Sequence, residues 1–281
     1  MRIPICMLYR CCAGCLVSAV VLTTVGSSKN KRLLMKNEKQ VEQSIISIFQ
    51  QHRRRYGVRR VSAELKAAGR VKAGAYKVRK VLREHGLKAI QPRSFVPKTT
   101  DSRHSYTISP NLLLEQALPT RPNKVWVGDI TYIPLTGGTY GYLSVWMDLY
   151  SRKIIGWHLD DNMREALVVE AFKKALMSRC ISEEIIIHSD RGGQYAGNKF
   201  RRLVHSKPGV LQRMSRADNP YDNAFMESCF SRFKTELLQD GAFDNLQDAN
   251  TEIFEYIEMY YNTKRRHSAL NYLSPMNFEK N

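Results

Sequence analysis

The sequence has little that would place it among zinc modules or disulfide-rich proteins. Its six cysteines include a single Cys-x-x-Cys pair, Cys12 and Cys15, with neither a second pair nor histidines at ligand spacing nearby. A structural zinc site needs four ligands of this kind, and a disulfide framework needs regularly spaced cysteines. These absences exclude both classes and favour a folded protein of a reducing compartment, the cytoplasm.

Acidic residues are scarce relative to basic ones. The 281 residues include 44 Lys and Arg against 26 Asp and Glu, which gives a formal net charge of +18. An excess of this size favours a polyanionic partner, because neutralising phosphates releases their condensed counterions. Nucleic acid is therefore the first candidate partner, and an anionic membrane surface is the second.

The positive charge is concentrated in one stretch. Between Gln51 and Lys98, fifteen Lys and Arg residues stand against two acids, Glu64 and Glu84. This density favours a nucleic-acid contact, with a merely basic surface as the alternative. The candidate DNA-binding residues in this stretch are Arg54, Arg55, Arg59, Arg60, Lys77, Arg79 and Lys80.

Helical periodicity accompanies the basic stretch. Apolar positions recur at helical spacing over Asn37–Gln51, Val61–Leu65 and Tyr76–Leu82, with glycines between these stretches. Several short basic helices are typical of a helix-turn-helix-like DNA-binding segment, which we place at residues 37–90. The helix Ala75–His85 is the candidate for entering a DNA groove. The alternative is a helical clamp that contacts only backbone phosphate.

The first 36 residues do not fit this pattern. Arg2 and Arg10 precede an apolar run from Cys11 to Val25, which is typical of a secretory signal but too short for a comfortable membrane span. Export would suit the basic, cysteine-poor body badly. We therefore expect a disordered or misframed leader over residues 1–36 and no membrane association, with a secreted or membrane-tethered basic protein as the alternative.

Residues 91–122 contain five prolines and little periodicity, which indicates a linker. Residues 123–281 then show β-branched and aromatic runs separated by turn residues, followed by helical stretches. The predicted elements are strands at Val125–Ile133, Tyr140–Leu149, Lys153–Leu159 and Glu184–His188, and helices at Arg164–Met177, Gly197–His205, Pro220–Leu238 and Asn245–Tyr261. Their order predicts an α/β domain with a ribonuclease-H-like mixed sheet flanked by helices, preceded by the small all-α segment.

Three acidic residues stand at positions suited to chemistry. Asp129 lies inside the first predicted strand among apolar neighbours, where a carboxylate must be paired, protonated or bound to a cation. Asp190 ends the strand that follows the first long helix, so both aspartates belong to one sheet. Glu227 lies on the helix opened by Pro220, and helical spacing places Asn223 and Lys234 on its face.

Phosphodiester chemistry explains why carboxylates would gather in this way. Two divalent ions about 3.5–4 Å apart can stabilise both the entering and the leaving oxygen, and hard oxygen ligands suit Mg²⁺ or Mn²⁺. Asp129 is the natural bridge between the two ions, with Asp190 and Glu227 each holding one. The alternative for a single aspartate near a strand end is a turn-forming or salt-bridging role.

Several sequence blocks support the catalytic interpretation. They are His52–Gly57 with Arg59-Arg60 and Glu84–Leu87; Trp126–Tyr132; His188–Tyr195; Tyr221–Ala224 with Met226–Ser228; and Tyr260–Asn262 with Arg265–Leu270 and Pro275. From about Ile45 to the C-terminus the chain resembles the transposases of bacterial insertion sequences of the insertion-sequence-three type, which carry a retroviral-integrase-like core.

The resemblance implies a function and a set of roles. Asp129, Asp190 and Glu227 would hold the metal ions during end cleavage and attack of the freed 3′-hydroxyl on another phosphodiester, with duplex DNA as substrate. Lys234 would contact the element's end, although an ordinary exposed lysine is the alternative. Arg265, Arg266 and His267 are further candidate DNA contacts, with a basic helix end stabilised by its dipole as the alternative.

The resemblance also implies a homo-oligomer on DNA, an upstream-frame DNA-binding partner and a bacterial, nucleoid-associated location. A catalytically decayed regulator that binds ends without cutting them is the alternative function.

The chain departs from the family's pattern at two places. Thirty-six residues separate Asp190 from Glu227, one more than is usual in the family, with the extra residue expected near Lys207-Pro208, and the leader matches nothing in the family.

Overall fold

The computed structural model describes residues 37–69, 73–91, 118–190, 192–214, 224–239 and 241–281. They belong to two compact units that divide after Ala89. The expected leader, residues 1–36, and most of the expected linker lie outside the described residues. Within the ranges just given, no helix is both long and apolar enough to cross a membrane.

The N-terminal unit contains the three predicted helices. They are α1 over residues 37–51, α2 at Val58–Ala67 and α3 at Ala75–Glu84. Each helix buries one apolar stripe, as the periodicity predicted. The buried residues of the three stripes are Val41, Ile45, Phe49, Val61, Leu65, Val78, Val81 and Leu82.

The second unit is built on a five-stranded mixed sheet. Its strands are β1 (Val125–Pro134), β2 (Tyr140–Asp148), β3 (Ile154–Asp160), β4 (Ile185–Ser189) and β5 (Val210–Met214). Their order across the sheet is β3-β2-β1-β4-β5. β2 pairs antiparallel with β1 and β3, whereas β4 pairs parallel with β1 and β5. This arrangement confirms the predicted ribonuclease-H-like sheet.

Helices cover both faces of the sheet. They are α4 (Glu165–Ser178), α5 (Gly193–Ala196), α6 (Asn198–His205), α7 (Ala224–Leu238), α8 (Leu246–Phe254) with a π-helical continuation (Glu255–Tyr261), and α9 (Pro275–Glu279). One hydrophobic core joins α4, α5 and α6 to one face, and the other joins α7, α8 and the π-helical segment to the opposite face.

Two features were not predicted. No strand is predicted at Val210–Met214, because Gln212 and Arg213 interrupt the apolar character of this segment and it is only five residues long. It forms an edge of the sheet beside β4, where one side of the strand remains unpaired. The predicted helix Asn245–Tyr261 is continuous but changes to π-helical geometry at Glu255.

Candidate active site

Asp129 and Asp190 lie side by side at one place in the sheet. β1 and β4 run parallel, and their last paired residues are Gly128 and Ser189. Asp129 and Asp190 are the residues that directly follow this pair. Neighbouring strands lie about 4.8 Å apart, so the two carboxylates arise from adjacent backbone positions.

Both aspartates face the helix that carries the third acid. Side chains alternate between the two faces of a strand, and Val125 and Val127 of β1 pack in the same core as Met226 and Phe230 of α7. Asp129 lies two residues after Val127 on the same strand, so its side chain projects from the same face, towards α7. Because in-register residues of parallel strands share a face, Asp190 projects the same way.

Local hydrogen bonds orient both carboxylates. The backbone N–H of Ile130 donates to Asp129 Oδ1 at 2.8 Å, and the N–H of Gly192 donates to Asp190 Oδ1 at 3.0 Å. A Cβ at Gly192 would lie 2.9 Å from Gln194 Oε1 and 3.1 Å from Asp190 Oδ1. The missing side chain therefore lets the loop after β4 turn closely around Asp190.

Gly128 fixes the packing directly behind Asp129. It pairs with Trp146 across the antiparallel ladder of β1 and β2. A Cβ at position 128 would lie 2.7 Å from the Trp146 ring, which is fully buried. The indole thus occupies the volume that a side chain would need, and it holds β1 in place immediately before the aspartate.

The negative charges of the aspartates act on two neighbouring titratable side chains. Burial raises the pKa of Tyr195 well above its usual value, and the negative charges of Asp129 and Asp190 raise it further. Burial lowers the pKa of Lys234, while the charge of Asp129 acts in the opposite direction. Tyr195, which stays protonated, therefore lies within electrostatic reach of both aspartates, and the half-buried Lys234 of α7 lies within reach of Asp129.

Glu227 does not join the aspartates in this structure. It lies in the first turn of α7, a helix that packs against β1, but its side chain is exposed. Among the described residues, which include all three acids, no group of three Asp, Glu, His or Cys side chains is arranged to hold a metal ion. The structure brings two of the three predicted ligands together and leaves the third apart.

The structure argues against the predicted DNA contact of Arg265. Its side chain is 2% exposed, and its Nε and Nη2 donate to the two carboxylate oxygens of Glu236 at 2.8 and 2.7 Å. Nη1 lies 3.1 Å from Nε2 of His267, and Tyr256 Oη donates to Glu236 at 2.9 Å. Arg265 stabilises the protein interior, because its donors are directed at these groups rather than at solvent.

The neighbouring predicted contacts are also engaged within the fold. Arg266 is half-buried, and its Nη1 donates to the carbonyl of Tyr272 at 2.8 Å. The His267 ring packs edge-on against Tyr261, with 4.9 Å between the centroids. Asn223, predicted to share the face of Glu227, lies outside the described residues. We refer to Glu236, Arg265, Tyr256 and His267 as the Glu236 cluster.

The predicted DNA-binding residues of the N-terminal unit differ in their availability. Arg59 and Arg79 are exposed. Lys77 pairs with Glu38 at 3.5 Å, and Lys80 pairs with Glu84 at 3.7 Å. Arg55 is also engaged, and Arg54 and Arg60 have partners within this unit. Arg54 Nε donates to the carbonyl of Lys88, Arg60 Nη1 donates to the carbonyl of Arg55, and the Arg60 guanidinium lies over the Tyr56 ring.

Tyr195 and Glu236 were not among the predicted functional residues. Tyr195 is the last residue of the sequence block His188–Tyr195, but only the folded structure brings it within electrostatic reach of both aspartates. Glu236 gave no signal, since its partner Arg265 lies 29 positions further along the chain. Its burial on the apolar side of α7, together with Met226 and Phe233, is the feature that could have identified it.

Comparisons with known families cover nearly the whole described chain. An integrase core domain matches residues 119–220, an HTH-like domain matches residues 36–95, and a second integrase core domain description matches residues 208–275. The two types of match correspond to the two compact units.

Similar proteins are encoded by bacterial insertion sequences. The transposase of insertion sequence element IS904 from Lactococcus lactis is 39% identical over 249 residues, which span 87% of this chain and 97% of that protein. Transposase InsF of insertion sequence IS3A from Escherichia coli is 35% identical over 235 residues, 84% of this chain and 80% of that protein. Among solved structures, the catalytic core domain of HTLV-2 integrase in complex with magnesium covers 57% of this chain and 98% of its own at 16% identity and a TM-score of 0.43.

Proposed function

Since this chain belongs to the IS3 family of insertion-sequence transposases, it is an enzyme of DNA transposition and integration, and we propose that Asp129, Asp190 and Glu227 form its catalytic centre. The observation that carries the proposal is the parallel register of β1 and β4, which places two carboxylates at adjacent positions on one face. Two acids so close would repel each other unless a cation or a proton compensates them.

The aspartate pair fits a divalent cation. Its donors are hard carboxylate oxygens, which Mg²⁺ and Mn²⁺ prefer. We propose two such ions, with Asp129 contributing to both and Asp190 to one. When bound, the ions would activate the attacking oxygen and stabilise charge on the leaving oxygen of the phosphodiester.

Glu227 is the third proposed ligand, although it is exposed and apart from the aspartates in this structure. Its position in the first turn of α7 supports the proposal, because α7 packs on β1, the strand that bears Asp129. Lys234 lies on the same helical face and within electrostatic reach of Asp129, which supports the proposal that it contacts a DNA phosphate.

The partners and boundaries follow from the same assignment. Residues 37–90 are the proposed DNA-binding unit, residues 91–122 the linker and residues 123–281 the catalytic domain. The proposed substrate is duplex DNA carrying the element's ends and a target. We further propose that the protein acts as a homo-oligomer because two ends must be joined, that an upstream-frame product assists end binding, and that the site of action is the bacterial nucleoid in the cytoplasm.

Cleavage of a labelled duplex that carries the element's terminal repeat tests the catalytic assignment. With Mg²⁺ or Mn²⁺ present, wild type should nick the repeat end, and Asp129→Asn should lower the rate by about 100-fold or more, since even outer-shell partners of metal ligands contribute 10–100-fold. Asp161→Asn, an exposed aspartate just beyond β3, is the matched control and should cut like wild type. Glu227→Gln should lose as much as Asp129→Asn.

Undiminished cleavage by Asp129→Asn would overturn the proposed centre. Loss in Asp129→Asn with full activity in Glu227→Gln would remove Glu227 from the ligand set. Binding of the duplex with no cleavage by wild type in either metal, also when the upstream-frame product is added, would favour the decayed regulator instead.

A further inference from the structure

One face of α3 is exposed, basic and aromatic. Tyr76, Arg79, Lys80 and Arg83 recur at helical spacing, opposite the buried Val78, Val81 and Leu82. We call these four residues the α3 stripe. Tyr76 is 76% exposed, which is unusual for a large aromatic side chain whose hydrophobic surface normally seeks burial.

Acids of α1 neutralise the flank of α3 but not this stripe. Glu38 pairs with Lys77 at 3.5 Å, and Glu42 lies 2.5 Å from Nε2 of His85. Arg79 and Arg83 make no ion pair with any residue in the described parts of this unit. Lys80 pairs only with its neighbour Glu84, at 3.7 Å, and both side chains are about half exposed, so this pair competes weakly with another anion.

The dimensions of the stripe match a DNA groove. Tyr76 is the second residue of α3, and the N-terminal residues of a recognition helix contact base edges in helix-turn-helix proteins. Seven residues of helix span about 10.5 Å, and the major groove is about 12 Å wide. With Tyr76 over the bases, Arg83 would lie about 10.5 Å further along the helix axis, a separation that suits a contact with backbone phosphate rather than with the same base pair.

We propose that the α3 stripe enters the major groove of duplex DNA, that the Tyr76 ring determines sequence preference by packing against a thymine methyl group, and that Arg79 and Arg83 contribute mainly phosphate contacts. Thymine is the base that presents an apolar group in this groove. The inference rests on the proposed function, since it identifies how the proposed DNA-binding unit recognises its substrate.

Binding without a chemical step tests this inference. The full-length protein selects duplexes from a random 20-base-pair pool in EDTA, and fluorescence anisotropy then compares the selected duplex with an unselected one. Tyr76→Ala should weaken binding to the selected duplex by about tenfold, a typical loss for one base contact, and leave the unselected duplex unaffected. Tyr76→Phe, which keeps the ring, should bind like wild type.

Replacing the thymines of the selected duplex by deoxyuridine removes only methyl groups. This change should weaken binding by the wild-type protein by about the same factor as the Tyr76→Ala substitution does. Binding by the Tyr76→Ala variant should not be weakened further. Arg83→Ala should instead weaken binding to both duplexes equally and reduce the slope of log affinity against log salt by about 0.9. Lys66→Ala, an exposed lysine in the last turn of α2, is the charge-matched control and should match wild type.

Three results would overturn the inference. They are recovery of no preferred sequence, an equal loss on both duplexes for Tyr76→Ala, or a full deoxyuridine penalty that persists in Tyr76→Ala. Because no strand is cut in EDTA, each of these results leaves the outcome of the cleavage experiment untouched, so failure of the two proposals can be told apart.

Discussion

Arg265 and Arg83 are both candidates for a surface contact on sequence grounds, since each lies near other basic residues, but their surroundings in the fold are opposite. Arg265 is buried and donates to both oxygens of Glu236. Arg83 is exposed, on the face of α3 that the acids of α1 do not reach. A basic residue is therefore structural when the fold brings an acid into contact with it, and it stays available for a ligand when no acid is near. Its neighbours along the chain do not decide between the two.

Replacing the acid of the Glu236 cluster should produce the largest loss of stability. Glu236→Gln leaves the Arg265 guanidinium buried without its counter-charge, and breaking a buried ion pair from one side costs about 3–5 kcal/mol. Urea unfolding followed by tryptophan fluorescence measures this loss, since all three tryptophans, Trp126, Trp146 and Trp157, lie in the sheet.

The control for this measurement is Glu255→Gln, which changes an exposed acid in the π-helical segment. It should alter the free energy of unfolding by less than about 0.5 kcal/mol. A loss below about 1 kcal/mol in Glu236→Gln would mean that Arg265 is not held as tightly as the geometry indicates.

A smaller loss is expected from the hydroxyl that supports the pair. Tyr256→Phe removes the hydrogen bond from Tyr256 Oη to Glu236 and leaves both Arg265 bonds intact. Hydrogen bonds to charged groups contribute about 1.5–3 kcal/mol. The same urea titration measures the effect, with the half-exposed Tyr140→Phe as control. Equal stability of Tyr256→Phe and wild type would show that Arg265 alone satisfies Glu236.

The last effect changes no stability at neutral pH and appears only in alkaline solution. Burial raises the pKa of Cys229, next to Tyr261, from 9.0 to about 11. Between these values the unfolded thiol loses its proton while the folded one keeps it. Its contribution to stability is therefore complete below pH 9 and is lost as the pH rises through 11.

Alkylation of the native protein with iodoacetamide at pH 9 measures this protection. Peptides that contain Cys229 and the exposed Cys180 can be quantified separately by mass spectrometry. Cys180 should react at least about tenfold faster, because it is exposed, whereas burial both suppresses the thiolate of Cys229 and keeps the reagent away from it. Similar rates at the two cysteines would show that the interior around Tyr261 opens readily.

Much of the fold could be predicted because its elements carry strong local patterns. β1, β2 and β4 are apolar or β-branched runs bounded by turns, and α1 and α3 show clear helical periodicity. β5 escaped prediction because an edge strand of five residues with Gln212 and Arg213 has no strong pattern of its own, and its neighbour β4 is what makes it a strand.

The candidate site was predictable to a different degree for each acid. Asp129 and Asp190 end up adjacent because strand pairing is set by the hydrophobic pattern, which the sequence displays. Glu227 depends on how α7 sits on the sheet, which no local pattern encodes, and its role stays a prediction. The burial of Arg265 against Glu236 could not be predicted, since a run of basic residues cannot reveal an acid that approaches from another helix.

The contact between Gly128 and the Trp146 ring has a consequence for how this protein can change. The ring occupies the place of a side chain at position 128, and the two positions face each other across the ladder. A larger residue at position 128 is tolerable only if a smaller residue replaces Trp146 at the same time. The two positions are therefore expected to be substituted together. A larger residue at 128 alone would push β1, and with it Asp129, out of line with Asp190, whereas a smaller residue at 146 alone would leave a cavity behind the strand.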